Sequence, residues 1–308
     1  MRESQARERP TPVVHSDPTP PAPGDAWTVM HMVRWSTAYL DERQIEGPRL
    51  DAEMLLAHAL GTERLQLYLQ FDRPLTAGEL KAYKPLLKRR AAREPIQYIL
   101  GSTPFRTLEL SVDPRALIPR PETEFLLDVI LQASGSHPFS RALDVGTGTG
   151  AIALSLAAEK LAHSVCATDV SEEALELARA NAERNDLEGV VDFRVGPCTV
   201  PFDGQAFDLI VSNPPYVPDQ EWEETAPEVR DWEPSLALKG GHDGLDMVRT
   251  LIQEVPAKLK PGGWLALELA SPQTTEVEEA LRAEGNFAEA QTQEDLTGRT
   301  RYVLARKR

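Results

Sequence analysis

The chain has 308 residues, of which 41% are hydrophobic and 26% are charged. This length and composition suit about two globular domains and exclude a wholly disordered protein. The formal net charge is −15. Such an excess of acid argues against a dedicated nucleic-acid binder, because those proteins neutralise phosphates with lysine and arginine.

The same composition indicates a compartment. No apolar run approaches the roughly 18 residues of a membrane-spanning helix, and the polar N-terminal residues lack the apolar segment of a secretory signal. Cys166 and Cys198 are the two cysteines, too few for a disulfide framework, and they form no CxxC pair for zinc. We therefore expect a cytoplasmic protein with no membrane association, no metal and no stable nucleic-acid partner.

Changes of composition divide the chain into four segments. Residues 1–26 contain six prolines and few apolar residues, which predicts a disordered tail. Residues 27–93 carry apolar side chains at helical spacing, which predicts a small domain of about four helices. Residues 94–120 hold short alternating runs between prolines and glycines, a pattern typical of a β-hairpin linker. Residues 121–308 form the remaining domain.

Strands and helices alternate through that last domain, which predicts an α/β fold with a doubly wound, mostly parallel sheet. Two consecutive strands at the end predict an antiparallel edge. The predicted strands are 141–145, 164–168, 190–195, 207–211, 263–269, 287–292 and 300–306, and the predicted helices are 150–160, 171–185, 243–259 and 273–284.

A glycine-rich loop follows the first of these strands. Its residues are Gly146, Thr147, Gly148, Thr149 and Gly150. Alternate glycines let the backbone approach a ligand, although the GxGxG spacing differs from the dinucleotide and ATP fingerprints. Asp169 ends the second strand, where a carboxylate can accept hydrogen bonds from both ribose hydroxyls. Asp144 precedes the loop, and we expect a second carboxylate beside the ligand there.

A ligand for this loop should have a ribose and positive charge but no phosphate. S-adenosyl-L-methionine fits that description, with S-adenosyl-L-homocysteine as its product. The alternative is a tight strand–helix turn without a ligand.

The second candidate motif is Asn213-Pro214-Pro215-Tyr216, at the end of a buried strand. Two prolines fix the backbone and remove two N–H donors. The Asn213 side-chain oxygen and the Pro214 carbonyl can therefore accept both hydrogens of a planar –NH2 group, while Tyr216 offers a flat aromatic face. The pattern predicts methyl transfer to an amide or exocyclic amino nitrogen, driven by positioning more than by a strong base. A purely structural turn is the alternative.

Together these motifs resemble the bacterial release-factor glutamine methyltransferases. The resemblance spans about residues 27–308. It is carried by the two motifs above and by RLDAE at 49–53, EPIQYILG at 94–101, IPRPETE at 118–124, EP at 233–234, GGHDGL at 240–245 and GG at 262–263. It implies a Rossmann-like class I S-adenosylmethionine-dependent methyltransferase fold with a seven-stranded mixed sheet. A small helical bundle for substrate recognition would precede this domain in the chain.

The resemblance also implies a substrate and roles for individual residues. The substrate would be the glutamine of the Gly-Gly-Gln motif in class 1 peptide chain release factors, methylated on its side-chain N5. Catalysis would use Asn213, Pro214 and Tyr216, with Pro215 and Phe105 also around the glutamine. The glycine loop, Asp169, Cys198 and Asn213 would line the cofactor site, and Arg120 and Glu122 would shape its junction with the substrate. Relatives often carry an acidic–aromatic pair where Pro197 and Cys198 stand, so smaller groups would pack the adenine.

Three other functions remain open. A ribosomal-protein glutamine methyltransferase uses the same chemistry. An adenine-N6 DNA methyltransferase shares the Asn-Pro-Pro-Tyr motif but usually carries a basic recognition region, which this acidic chain lacks. A binding module without activity would have little need for both motifs.

Overall fold

The computed structural model describes residues 26–135 and 137–308. The predicted disordered tail therefore lies, apart from Ala26, outside the described residues. Contacts divide the chain into two compact units, with the division between Ile99 and Leu100. The segment 94–120, predicted as one linker, is shared between the two units.

The N-terminal unit is helical, as its apolar spacing predicts. Its helices are α1 (Val29–Asp41), α2 (Pro48–Leu60), α3 (Arg64–Leu69), α4 (Ala77–Ala91) and the short α5 (Ile96–Leu100) at the division. Thr76 caps α4 by accepting a hydrogen bond from Glu79 N, and the Glu79 side chain returns a bond to the cap. Leu55, Leu56 and Tyr83 fill the core of the unit.

The C-terminal unit begins with an antiparallel hairpin of β1 (Ser102–Phe105) and β2 (Leu108–Ser111). A seven-stranded mixed sheet follows, in the order β5-β4-β3-β6-β7-β9-β8. Its strands are β3 (Phe139–Val145), β4 (Ala162–Asp169), β5 (Val191–Val195), β6 (Phe207–Ser212), β7 (Leu259–Glu268), β8 (Phe287–Glu294) and β9 (Thr300–Lys307). The first five are parallel and the last two make the antiparallel edge. The predicted fold class is confirmed.

Helices cover both faces of this sheet. They are α6 (Pro121–Ser134), α7 (Ala151–Ala158), α8 (Glu172–Arg184), the single turn α9 (Pro227–Arg230), α10 (Asp246–Lys258) and α11 (Thr274–Glu284). Successive residues of β3 belong to opposite core clusters, Ala142 to one and Leu143 to the other, and both are fully buried. Burial on both faces explains the continuous apolar run at 209–211 in the central strand β6.

The sheet topology indicates the edge of the sheet at which a ligand would bind. Strand β3 pairs with β4 on one side and β6 on the other, and Val145 is in register with both Thr168 and Ser212. The carboxyl ends of these three strands therefore meet where the strand order reverses. Open α/β sheets bind their ligands at such a point.

Candidate active site

A cavity of about 580 Å³ opens at this edge of the C-terminal unit. That volume lies within the roughly 300–1,000 Å³ range of small-molecule sites. The cavity is lined by the glycine loop, the end of β4, the loop after β5, the segment after β6 and the segment around Gly240.

The charges of the lining disfavour a phosphate ligand. Each lining cation is engaged by another side chain: Arg115 with Asp113, Arg120 with Glu233, and Lys239 over the ring of Trp222. Asp169, Glu173 and Asp246 also line the cavity. Since phosphates are held by available cations or backbone nests, this lining suits a ligand that carries positive charge.

The glycine loop is held by a buried carboxyl group beneath it. Asp144 is fully buried, and its Oδ2 accepts hydrogen bonds from Thr147 Oγ1 at 2.6 Å and from Ala153 N at 3.1 Å. Burial raises the pKa of Asp144 to about 7. The expectation that this carboxylate lies beside the ligand is wrong, because Asp144 braces the loop from the core side.

Asp169 faces the cavity from the end of β4. Its Oδ2 accepts from Gly148 N and its Oδ1 from Ser171 N, both at 2.9 Å. The carboxyl group thus ties the glycine loop to the start of α8, and burial raises its pKa. Each carboxylate oxygen has a further lone pair for a ligand hydroxyl.

Cys198 and Val170 form an apolar wall of the same cavity. Cys198 has a φ of 43°, and its carbonyl accepts a hydrogen bond from Thr168 Oγ1 at 2.8 Å. Burial raises the pKa of the Cys198 thiol to about 11, so the thiol is neutral near pH 7 and has little nucleophilic character. Val170 is 53% exposed, which leaves its side chain available to a ligand.

The segment after β6 presents Asn213 to the cavity. Asn213 is half-buried, and its Nδ2 donates to Thr123 Oγ1 at 3.2 Å. Asn213 and Pro215 line the cavity, whereas Pro214, which is buried, and Tyr216, which is half-buried, are not lining residues. Burial raises the pKa of Tyr216, so its phenol stays neutral.

Gln273 and Gly244 hold the backbone carbonyl of Tyr216 in place. Gln273 Nε2 donates to the Tyr216 carbonyl at 2.9 Å and to the Asp243 carbonyl at 3.1 Å. Gly244 lies against the same carbonyl with a φ of +82°. These contacts fix the direction in which the Asn-Pro-Pro-Tyr segment leaves the sheet.

Gly244→Ala is expected to disturb this arrangement. The added Cβ would lie 2.2 Å from Tyr216 O and 2.4 Å from Gln273 Nε2, at a φ that L residues rarely adopt. Strain and overpacking of this kind cost about 1–3 kcal/mol each. Thermal unfolding should show the destabilisation, and Gly285→Ala, where no atom lies within 4 Å, is the matched control for φ alone.

Five residues that were predicted to contact the ligands or shape their junction do not line the cavity: Phe105, Glu122, Gly150, Pro214 and Tyr216. Phe105 is 1% exposed and packs in the core beneath the hairpin. Its aromatic ring is therefore a core element in this structure, and its place beside the substrate stays a prediction. Gly150 caps α7, and a Cβ there would lie 3.1 Å from Leu154 Cδ1 and 3.2 Å from Ala178 Cβ. Gly150 thus allows close helix packing, while the other four loop residues reach the cavity.

Three side chains of this region received no role from the sequence. Glu233 is buried and accepts hydrogen bonds from Ile118 N at 3.0 Å and from Arg120. Thr123 accepts from Asn213, and its hydroxyl lies near Glu268, whose pKa it lowers. Glu233 and Thr123 lie in matched motifs and Glu268 does not, and the partners of all three are distant in sequence.

Glu268 is expected to make stability fall as pH rises. It is 1% exposed, and burial raises the pKa of its carboxyl to about 7. The native state therefore holds a proton that the unfolded state releases near pH 4.5, so stability is lost as pH rises toward 7. The free energy of unfolding of Glu268→Gln, minus that of wild type, should increase by on the order of 2 kcal/mol from about pH 5 to about pH 8. Denaturant unfolding at both pH values measures this difference, and an unchanged difference would contradict it.

None of the helices in the two described ranges is long and apolar enough to span a membrane.

The sheet order, the glycine loop and the acid at the end of β4 define a Rossmann-like class I methyltransferase fold. Family models agree: "PrmC N-terminal domain" matches residues 31–101, and "Methyltransferase small domain" matches residues 121–228.

Curated relatives are similar over nearly the whole chain. The release factor glutamine methyltransferase of Geobacter sulfurreducens is 42% identical over 283 residues, covering 92% of this chain and 98% of the relative. That of Deinococcus radiodurans is 43% identical over 273 residues, covering 88% and 96%. The chain therefore belongs to the release factor glutamine methyltransferase family.

A more distant solved structure shares the fold. The N-terminal domain of human METTL16, solved in complex with SAH, matches with a TM-score of 0.50 and 18% identity, covering 71% of this chain and 83% of that domain.

Proposed function

We propose that this protein transfers a methyl group from S-adenosyl-L-methionine to the side-chain N5 of the glutamine in the Gly-Gly-Gln motif of class 1 peptide chain release factors. One observation carries the proposal. Asn213 lines the same cavity as Asp169 and the glycine loop, and its amide nitrogen is already bonded to Thr123. The amide oxygen is thus left for a second amide.

The described residues fit the proposed cofactor. Asp169 offers carboxylate lone pairs to ribose hydroxyls, Val170 and Cys198 offer apolar surface to a purine, and Gly146 to Gly148 allow close approach of the backbone. When bound, S-adenosylmethionine supplies a methyl group on a positively charged sulfur and leaves as S-adenosylhomocysteine. The acidic lining with engaged cations favours that charge.

The chain's own contribution to catalysis is orientation. An amide nitrogen is a poor nucleophile because its lone pair is delocalised into the carbonyl. Asn213 Oδ1 and the Pro214 carbonyl can accept its two hydrogens, which directs the lone pair toward the methyl group and favours pyramidal geometry at nitrogen. The buried, proline-fixed backbone keeps these acceptors in place, so their entropy is lost during folding and not when the substrate binds. As the nitrogen–carbon bond forms, the carbon–sulfur bond breaks, and the methylated nitrogen then loses one of its two hydrogens as a proton to water.

Tyr216 and the helical unit complete the proposal. The Tyr216 phenol is neutral, and we assign its ring the role of restricting the glutamine side chain. We assign substrate recognition to the helical unit, residues 27–93, and methyl transfer to the domain from residue 121. The matched relatives carry both parts, because the alignments cover 98% and 96% of their lengths.

In the direct test, the purified protein and labelled S-adenosylmethionine are incubated separately with each of four acceptors. They are a class 1 release factor, its Gln→Ala variant in the Gly-Gly-Gln motif, ribosomal proteins, and duplex DNA. We expect label on the intact factor and none on the variant. Label on a ribosomal protein or on DNA, with none on the factor, would overturn the proposal in favour of that substrate class.

A further inference from the structure

A buried carboxyl group behind Asn213 has no part in the mechanism above. Glu268 ends β7, and its Oε2 has no hydrogen-bond partner among the described residues. The Thr123 hydroxyl lies near this carboxyl group and lowers its pKa, and Thr123 accepts from Asn213 Nδ2 at 3.2 Å. Thr123 is itself 5% exposed. Three elements of the unit thus supply one chain of polar side chains that ends in the cavity.

We propose that Glu268 is a positioning residue that fixes, through Thr123, which end of the Asn213 amide faces the substrate. This inference rests on the proposed function, because it assigns a direction to the amide that grips the glutamine.

The single hydrogen of the Thr123 hydroxyl decides which end of the Asn213 amide faces the substrate. An ionised carboxylate only accepts hydrogen bonds, so it draws that hydrogen toward Glu268. The lone pairs of Thr123 then accept from the Asn213 –NH2, which turns Oδ1 toward the cavity. Such an orientation presents an acceptor to the –NH2 of a substrate amide.

A protonated Glu268 reverses the constraint. It can donate to Thr123 Oγ1, which frees the threonine hydrogen for Asn213 Oδ1. The Asn213 –NH2 would then face the substrate –NH2, and two donors cannot pair. Only the ionised form of Glu268 therefore enforces the orientation that supports transfer.

The surroundings of Glu268 place its titration in an observable range. Arg301 and Arg120 favour the ionised form, whereas Glu122 favours the neutral form. The phenols of Tyr216 and Tyr302 are also near, and burial raises the pKa of each, so both are neutral around pH 7. Burial of Glu268 itself raises its pKa to about 7. We therefore expect kcat to rise as pH increases through about 7.

The test measures kcat for methylation of the release factor from about pH 6 to about pH 8.5, with both substrates saturating. Thr123→Val should lower kcat by about 10–100-fold without changing the dissociation constant for S-adenosylmethionine. Thr123→Ser should restore most of the rate, because it restores the hydroxyl. The fall of kcat below about pH 7, which we call the acid limb of the wild-type profile, should be absent from Glu268→Gln. Adding Glu268→Gln to Thr123→Val should cause no further loss of kcat.

Several results would overturn the inference. They are additive losses in the double variant, an acid limb that persists in Glu268→Gln, or a limb that disappears only in Asp144→Asn, whose carboxyl also titrates near 7. If Glu268→Gln does not fold, the profile of Thr123→Val decides, since the limb must vanish there too. If wild type methylates another acceptor, the proposed function fails, and the same variants tested on that acceptor still decide the inference.

Discussion

Asn213→Ala is expected to reduce kcat for methylation of the release factor by about 10²–10³-fold, the usual loss when one preorganised hydrogen-bond partner is removed. The acceptor that Oδ1 provides is lost, and one hydrogen of the substrate amide is then unpaired. The dissociation constant for S-adenosylmethionine should stay within about two-fold of wild type, because the Asp169 side of the cavity is untouched. Single-turnover transfer and calorimetry measure the two effects separately.

The matched control for Asn213→Ala is Asn213→Asp, which keeps the size of the side chain and an acceptor. It should retain some activity, but it loses the N–H that bonds Thr123 and places a negative charge beside the substrate. Equal loss of cofactor affinity and of rate in Asn213→Ala would assign Asn213 to the cofactor instead of the glutamine.

Asp169→Ala should weaken binding of S-adenosylmethionine by about 10–100-fold, the value of about 1.5–3 kcal/mol for hydrogen bonds to a charged group. Two effects contribute, since the ribose loses its acceptors and Gly148 N and Ser171 N lose theirs. Asp169→Asn is the matched control, because its carbonyl oxygen can keep one of the two backbone bonds. It should therefore bind the cofactor with an intermediate affinity.

The outcome at saturating cofactor completes this prediction. Transfer by Asp169→Ala should then recover to within about ten-fold of wild type, because the side-chain bonds of Asp169 are to Gly148 N and Ser171 N and not to the Asn213 segment. A rate that stays low at saturation, with normal cofactor affinity, would contradict the assignment of Asp169 to ribose binding.

The central strand β6 was predictable because most of it is an apolar run buried on both faces. Strand β6 was predicted at 207–211 and is found at Phe207–Ser212. Helix α6 was not among the predicted elements, although Pro121 at its start and the acids of its first turn are typical helix signals. Helix α6 precedes the first predicted strand, so it lies outside the strand–helix alternation that begins at residue 141.

The motifs located the candidate site, but the partners within it were not predictable. Asn213 and Thr123 are 90 residues apart in sequence, and Arg120 and Glu233 are 113 apart. No local spacing signals such pairs, since the sheet topology alone brings them together. The burial of Asp144 and Phe105 was missed for a related reason, because a polar or aromatic side chain next to a motif can face either the ligand or the core.

Tandem mass spectrometry of a release factor methylated by this protein tests the central claim most directly. The account predicts one added methyl group, on the side-chain nitrogen of the Gly-Gly-Gln glutamine, and none after incubation with Asn213→Ala. A methyl group on any other residue, or equal methylation by wild type and Asn213→Ala, would contradict it.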